Sequence, residues 1–443
     1  MRDKKHGGIK EILEVHRFTR RQVLSGALKA CAVAAIGPHF LGAALAASDE
    51  IRLGTIFPLT GNMAFGGNEG FTGTDIAREI INERGGINGR KITFVKADAP
   101  DQTAATNEMN RLISSEGLKL VIGSFSSAIA FTASAVAERN QIIFWENHGV
   151  ADNITRRGFK YLFKTNINAS GTGGGASTFA AQYLAPKFGV DPKALKVGIA
   201  WEDGTYGSSV GKGIISYAEK QGLKIVANEA YSAKSTDLSP VILKLKASNP
   251  DVLLVAGIGS DAVLFWKQVR DLDLNVKAVV ATSGGWGVPN FAQNLGPSAN
   301  GVFSSDFPTD VNSKALTKEA ADLQKEFAER FQKVKGSRPT GNAYLAFAGS
   351  MVLFQHVLPK APSLDPEKVK EAAMSLDLPD GTMANGCGVK FIPHDQEDGG
   401  RNARSFAVLL QWQDGKVEVV WPEKYSNKEP IMVPLPPWSG RSS

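Results

Sequence analysis

The sequence predicts an α/β protein built as two doubly wound parallel-sheet lobes joined by a hinge that the chain crosses three times. Three observations carry this. From Ile51 onward, short runs rich in β-branched residues alternate with helix-length amphipathic segments. The alternation is too long for one comfortable sheet and is interrupted by a Gly, Ser, Thr and Asn cluster at Asn166 to Gly175, of the kind that makes connections. After residue 306 the order changes to long helices and then a hairpin.

In chain order, strands are expected at Ile51 to Phe57, Lys91 to Lys96, Leu118 to Ile122, Gln141 to Trp145, Lys196 to Trp201, Leu223 to Glu229, Val252 to Ala256 and Val276 to Ala281. Helices are expected between them at 68–84, 102–116, 127–139, 172–188, 207–221, 238–248 and 260–272. Crossovers of that length make the strands parallel and cover both faces of the sheet. A ninth strand, Gly301 to Ser305, precedes helices at Lys314 to Lys335, Thr340 to Leu358 and 365–375, and a closing hairpin pairs Ser405 to Gln413 with Val417 to Trp421 around Asp414-Gly415. The expected division is 49–165 plus 306–384 for the first lobe and 166–305 plus 385–425 for the second, with a Pro-rich tail over 426–443 that lies on the surface or frays. Crossings near 166, 306 and 384 form a hinge, and a hinge over a cleft suits a receptor that closes on a ligand.

Composition narrows the function. Of 443 residues, 43% are hydrophobic and 21% charged, which excludes a disordered or collagen-like chain. Two cysteines, Cys31 and Cys387, with no CxxC, exclude a disulfide framework or a cysteine-rich metal site. The net charge of +6 suggests nucleic acid only until it is located: residues 1–46 hold eight Lys or Arg against three acids, leaving +1 for the rest. That segment reads as an address. Thr19-Arg20-Arg21-Gln22-Val23-Leu24, a weakly apolar run and Ala44-Leu45-Ala46 resemble a twin-arginine export signal cut near residue 46. No later stretch reaches the roughly 20 apolar residues that span a bilayer, so the expected product is not membrane-spanning and is periplasmic.

The body then matches something specific. Ile51 to Gly66 (IRLGTIFPLTGNMAFG), Ile81-Asn82-Glu83-Arg84-Gly85-Gly86-Ile87-Asn88-Gly89, Val121 to Ser127, Trp201 to Gly207 and Asp251 to Gly257 closely resemble periplasmic binding proteins of the leucine/isoleucine/valine type. These are the solute receptors of ABC importers for branched-chain amino acids, amides, urea and small aromatic acids. The resemblance implies the type I periplasmic binding fold, a small-molecule solute, an ABC permease at the inner membrane as partner, a monomer, and no cofactor.

Ligands of doubly wound sheets sit beyond the carboxyl ends of the strands, so the residues there are the candidates. Phe65 stands where the family has an aromatic that closes over the ligand. Ser126 and Ser127 open a helix whose N-terminus favours an anion, and the resemblance makes Ser127 the holder of a carboxylate; the same serine also suits a helix cap. Asn147 and His148 depart from the family's loop, and Val150 stands where it has Thr; His148 suits either a ligand carboxylate or a backbone carbonyl. From the second lobe come Trp201, Tyr206 as the family's aromatic lid, Gly259, Ser283 and Trp286. Tryptophans 145, 201 and 286 at strand ends favour an aromatic, bulky apolar or quaternary-ammonium solute. The family's acid for an ammonium group is not apparent near 283–285.

An enzyme finds little support. His148, His356 and His394 have no HExxH or GxSxG around them, and Gly207-Ser208-Ser209-Val210-Gly211-Lys212-Gly213 is one residue short of a phosphate loop. Asp98 and Asp101 are expected to cap the following helix rather than bind metal, and Lys314 to Lys335 has the mixed charge of a solvated face, not of a nucleic-acid surface. No catalytic residue or metal site is expected. The expected function is an extracytoplasmic receptor that delivers an amino-acid-like, amide or aromatic carboxylate solute to a permease; the alternative is the same fold reporting to a regulator.

Overall fold

The computed structural model describes residues 50–282 and 284–441. The export signal expected over 1–46, Cys31 within it and the candidate Ser283 lie outside the described residues.

The first sheet holds β1 (Glu50–Phe57), β2 (Lys91–Asp98), β3 (Leu120–Gly123), β4 (Ile143–Glu146) and β5 (Leu162–Lys164), all parallel, in the order β2-β1-β3-β4-β5. Its helices are α1 (Ala64–Glu83), α2 (Gln102–Asn110) and α3 (Ser127–Arg139). The second sheet begins after α4 (Ala169–Phe179) and its continuation α5 (Ala185–Lys187). It repeats the plan with β6 (Lys196–Glu202), α6 (Thr205–Lys220), β7 (Lys224–Tyr231), α7 (Ser239–Ala247), β8 (Val252–Ala256), α8 (Asp261–Asp271), β9 (Ala278–Thr282), α9 (Pro289–Leu295) and β10 (Phe303–Asp306). The chain then returns for α10 (Lys318–Lys335), α11 (Gly341–Met351) and α12 (Pro366–Met374), and ends with the hairpin β11 (Val408–Gln413) and β12 (Lys416–Trp421). The hairpin pairs antiparallel with β10, giving the order β12-β11-β10-β9-β8-β6-β7.

Alternation along the strands explains why each sheet is covered on both faces. Leu120, Ile122, Ile143 and Trp145 face one core, while Val121 and Phe144 face the other. In the second sheet Val252, Leu254 and Ala256 face one core, and Leu253 and Val255 the opposite one. Period-2 burial on two faces is what a parallel sheet between helices requires.

Local chemistry sets the ends. Thr317 caps α10 by accepting from the Ala320 N–H, and Gly336, at φ +70°, ends it in the left-handed conformation. Asn82 near the end of α1 both donates to the Ile92 carbonyl and accepts from its N–H, which ties the Gly85-Gly86-Ile87-Asn88-Gly89 turn to β2. Asp101 caps α2 as expected. Asp98 does not: its carboxylate accepts from Leu59 N, Thr60 N and Thr60 Oγ1, fixing the loop after β1.

The structure adds two elements, β5 and α9, where no element was expected. It also shows α4 starting at Ala169, inside the cluster read as a connection, with Asn168 as its cap. Residues 383–391 contribute Met383, Ala384, Cys387, Val389 and Phe391 to a core of the first sheet. Asn402 donates to the carbonyls of Thr165 and Gly388. The passage expected near 384 therefore falls between Asn402 and β11, because Phe391 fills a space against Trp145 and Phe163. The tail is docked rather than frayed: Leu435 N–H donates to the Lys277 carbonyl and Trp438 packs on Trp266.

Candidate functional site

Both sheets have the order of a doubly wound fold, with topological switch points between β1 and β3 and between β6 and β8, where crevices form at the carboxyl ends. Between those ends lies a cavity of about 30 Å³ lined by Phe125, Ser126, Ser127, His148, Val150, Tyr206, Ile258, Gly284, Phe307 and Asn342. That volume suits one or two water molecules, so a larger solute enters by separation of the two lobes. A direct contact across the cleft, Asp152 N–H to Ser209 Oγ at 3.1 Å, belongs to the closed arrangement.

One wall is polar. Ser126 caps α3, accepting from Ile129 N–H at 3.3 Å, and Ser127 Oγ accepts from the N–H groups of Val150 and Ala151 at 3.2 and 3.1 Å. Among the described residues neither hydroxyl donates to a protein group, so each keeps a proton for a solute beside the positive end of α3. Beneath them the buried Glu146 carboxylate accepts from Ser124 N, Ser124 Oγ, His148 N and Gly149 N. These four bonds join the loop after β3 to the loop after β4 and fix the positions of both serines and His148.

His148 is buried and its Nε2–H donates to the Asn342 carbonyl at 2.9 Å, leaving Nδ1 without a hydrogen-bond partner. Burial pulls its pKa below the ordinary value, opposed by the Glu146 charge. Burial thus favours the neutral ring, whose Nε2–H is committed to the Asn342 carbonyl.

The facing wall is apolar. Tyr206 at the start of α6 bonds through its hydroxyl to Thr282 Oγ1 at 3.0 Å, which holds the ring in place, and Ile258, Gly284 and Phe307 complete the surface. Among the described lining residues there is no carboxylate.

Of the residues expected here, Ser126, Ser127, His148 and Tyr206 come together, and five do not. Phe65 is 52% exposed. Phe125 supplies the aromatic wall instead, and its ring occupies the place where a side chain on Gly66 would stand. Asn147 is in the core, donating to Ser350 Oγ and Ala346 O and accepting from Thr165 Oγ1. Trp201 donates to Asn228 Oδ1 and packs on Gly211 of α6, away from the cleft. Trp286 is fully buried among Phe265, Trp266 and Phe291, and Gly259 stands beside Ile258 without lining the cavity. Trp145, stacked on Phe163 with its Nε1–H on the Gly349 carbonyl, is also core, so none of the three expected tryptophans lines the cavity. Phe125 was within reach of the strand-end rule, since it lies two residues beyond the end of β3. Phe307 and Asn342 come from a hinge passage and from α11, for which that rule gives no signal.

Among the described residues no group of three or more potential ligands could hold a metal ion, and no helix is long and apolar enough to cross a membrane. A sequence profile of the family described as periplasmic binding protein matches residues 50–416. The chain is 34% identical over 380 residues to Leu/Ile/Val-binding protein homolog 8 of Brucella abortus, covering 85% of this chain and 92% of that one. It is 34% identical over 384 residues to homolog 7 of Brucella melitensis, covering 86% and 94%. Among solved structures, a leucine-binding protein of Thermotoga maritima superposes with a TM-score of 0.70 at 22% identity, over 83% of this chain and 97% of that one. A branched-chain amino acid binding protein of Streptococcus pneumoniae, solved with isoleucine, gives 0.69 at 22% identity over 84% and 100%.

Proposed function

The chain belongs to the periplasmic binding proteins, solute receptors and not enzymes, and on that premise we propose that it captures a small carboxylate with a branched or aromatic apolar body in the interlobe cleft. The observation that supports this most is the asymmetry of the cavity. Ser126 and Ser127 hold uncommitted hydroxyl protons at the N-terminus of α3, while Tyr206, Ile258 and Phe307 offer only apolar surface to the far end of a solute. An anion is stabilised at the serine end by charge-assisted hydrogen bonds and the helix dipole. The described lining offers no carboxylate for an ammonium group, and this favours solutes that lack one over α-amino acids.

In this reading the protein is a monomer, exported by the twin-arginine route, and hands its solute to an ABC permease. Relatives named for Leu, Ile and Val binding support the branched apolar body. Thermal-shift screening, preceded by native mass spectrometry for a co-purified molecule, tests it with isocaproate, phenylacetate, benzoate, leucine and isoleucine. A concentration-dependent rise in melting temperature is expected with the carboxylates, since a ligand that binds only the native state stabilises it. A rise with none of them overturns the proposal.

A further inference from the structure

The loop after β4 belongs to the first lobe by its strand and to both lobes by its bonds. From the first lobe, Ser127 Oγ holds the N–H groups of Val150 and Ala151. From the same segment, bonds run to the second lobe. The Val150 carbonyl accepts from Ala169 N–H at 2.6 Å, and the Asp152 carboxylate accepts from Ser170 N–H at 3.0 Å and from Ser170 Oγ. Asp152 N–H in turn donates to Ser209 Oγ, on α6, at 3.1 Å.

These bonds meet a need of α4. A helix leaves its first N–H groups without partners of its own. In α4 the Gly171 N–H goes to the capping Asn168, whereas those of Ala169 and Ser170 go to Val150 and Asp152. The helix dipole also favours the Asp152 charge at that end. Because α4 packs on α6 and β10, whatever fixes its first turn fixes the second lobe. Asp152 is itself braced. Arg156, four residues on, lies 3.6 Å from its carboxylate and bonds to Asp398 at 3.0 Å, and Asp398 also accepts from Thr155 Oγ1 and Asn168 Nδ2.

We propose that Asp152 is the positioning residue that sets the closed arrangement of the lobes, by linking the loop that Ser127 holds to α4 and α6. All of these are bonds between protein groups, so the joint acts in the free protein as well as in the loaded one. The assignment of Ser127 to the solute rests on the function proposed above; the joint does not.

Double electron–electron resonance tests this, with spin labels at the exposed positions Thr103→Cys, on α2 after β2, and Lys234→Cys, after β7. Both follow edge strands at the far end of each sheet from the hinge passages, which adjoin β5, β10 and β11. Cys31→Ser leaves Cys387, 3% exposed, as the remaining native thiol. The free protein is expected to show a component at the separation that the closed structure sets for the two sites. Asp152→Ala is expected to lower the closed-to-open ratio by at least about tenfold, and Ser209→Ala, which leaves the cap of α4 in place, by about threefold to tenfold. Ser209→Ala carries the test alone should Asp152→Ala fail to fold. A free wild type lacking the closed component, or the wild-type ratio in the folded variant, overturns the proposal. Isocaproate is then added to the wild type: failure to raise the closed component counts against the proposed solute and leaves the joint standing.

Discussion

The two walls of the cleft are built from the same strand order yet behave differently. On the first lobe, Glu146 ties together Ser124, His148 and Gly149, and Ser127 Oγ holds the N–H groups of Val150 and Ala151, so that the polar groups are preset before a solute arrives. On the second, Ile258 and Phe307 present apolar surface beside the Tyr206 ring, whose hydroxyl is bonded to Thr282 Oγ1. The difference teaches a division of labour: the first wall supplies orientation and specificity, and the second supplies burial when the lobes close.

The comparison is broken most severely at Ser127. Ser127→Ala removes a donor to the solute and strands two buried N–H groups, and the affinity for the carboxylate with the largest thermal shift is expected to fall roughly 10- to 100-fold by calorimetry. A loss under threefold would mean that the carboxylate lies elsewhere.

Two passages of the hinge sharpen the comparison through pH. Lys164 is buried, donates to the carbonyls of Asn166 and Ile167, and is pushed down to about 7, by burial first and by the Arg401 charge next. Asp306 on the neighbouring passage is pushed up to about 7 by burial. Between about pH 7 and 10.5 the native chain holds fewer protons at Lys164 than the unfolded chain, so stability rises with pH there. Between about 3.8 and 7 it holds more at Asp306, so stability falls as pH rises. Denaturant melts of Lys164→Met and Asp306→Asn are expected to lose the first and the second slope respectively, each worth on the order of 4–5 kcal/mol across its window. Slopes unchanged from wild type would show that these groups titrate normally.

On the apolar wall, Ile258→Ala removes burial without polarity and is expected to weaken binding by about tenfold for every solute with an apolar body, with no change in the preference for carboxylates. A changed preference would give Ile258 a share in orientation. Trp286→Phe, behind that wall, is expected to cost about 1–2 kcal/mol of stability and leave solute affinity within about twofold, because the indole packs on Phe265 and Phe291 rather than on a solute. Because burial favours the neutral form of His148, carboxylate affinity is expected to stay flat between about pH 8 and 6.5; a steady rise on acidification would show the imidazolium taking part.

Most of the fold was legible because parallel strands buried on both faces leave apolar β-branched runs, and those runs locate all but one strand of the two sheets. The exception, β5, has only three residues and contains Lys164, whose buried ammonium reads as a surface residue in any pattern. The helix opening at Ala169 was hidden because Ser, Thr and Gly favour loops, and it is packing of α4 on α6 and β10 that overrides the propensity. The polar wall was legible where strand ends meet a helix start, at Ser126 and Ser127. The aromatic residues were not: whether a tryptophan at a strand end turns into the cleft or the core depends on neighbours such as Phe391, which approaches Trp145 from more than two hundred positions along the chain.

The division between the two walls is tested most directly by calorimetric titration with leucine and its two halves: isocaproate, which keeps the carboxylate and the branched body, and isoamylamine, which keeps the ammonium and the body. Isocaproate is expected to bind and isoamylamine to give no heat of binding. Binding of isoamylamine without isocaproate, or of leucine alone with neither half, would contradict the account by placing recognition at an ammonium group.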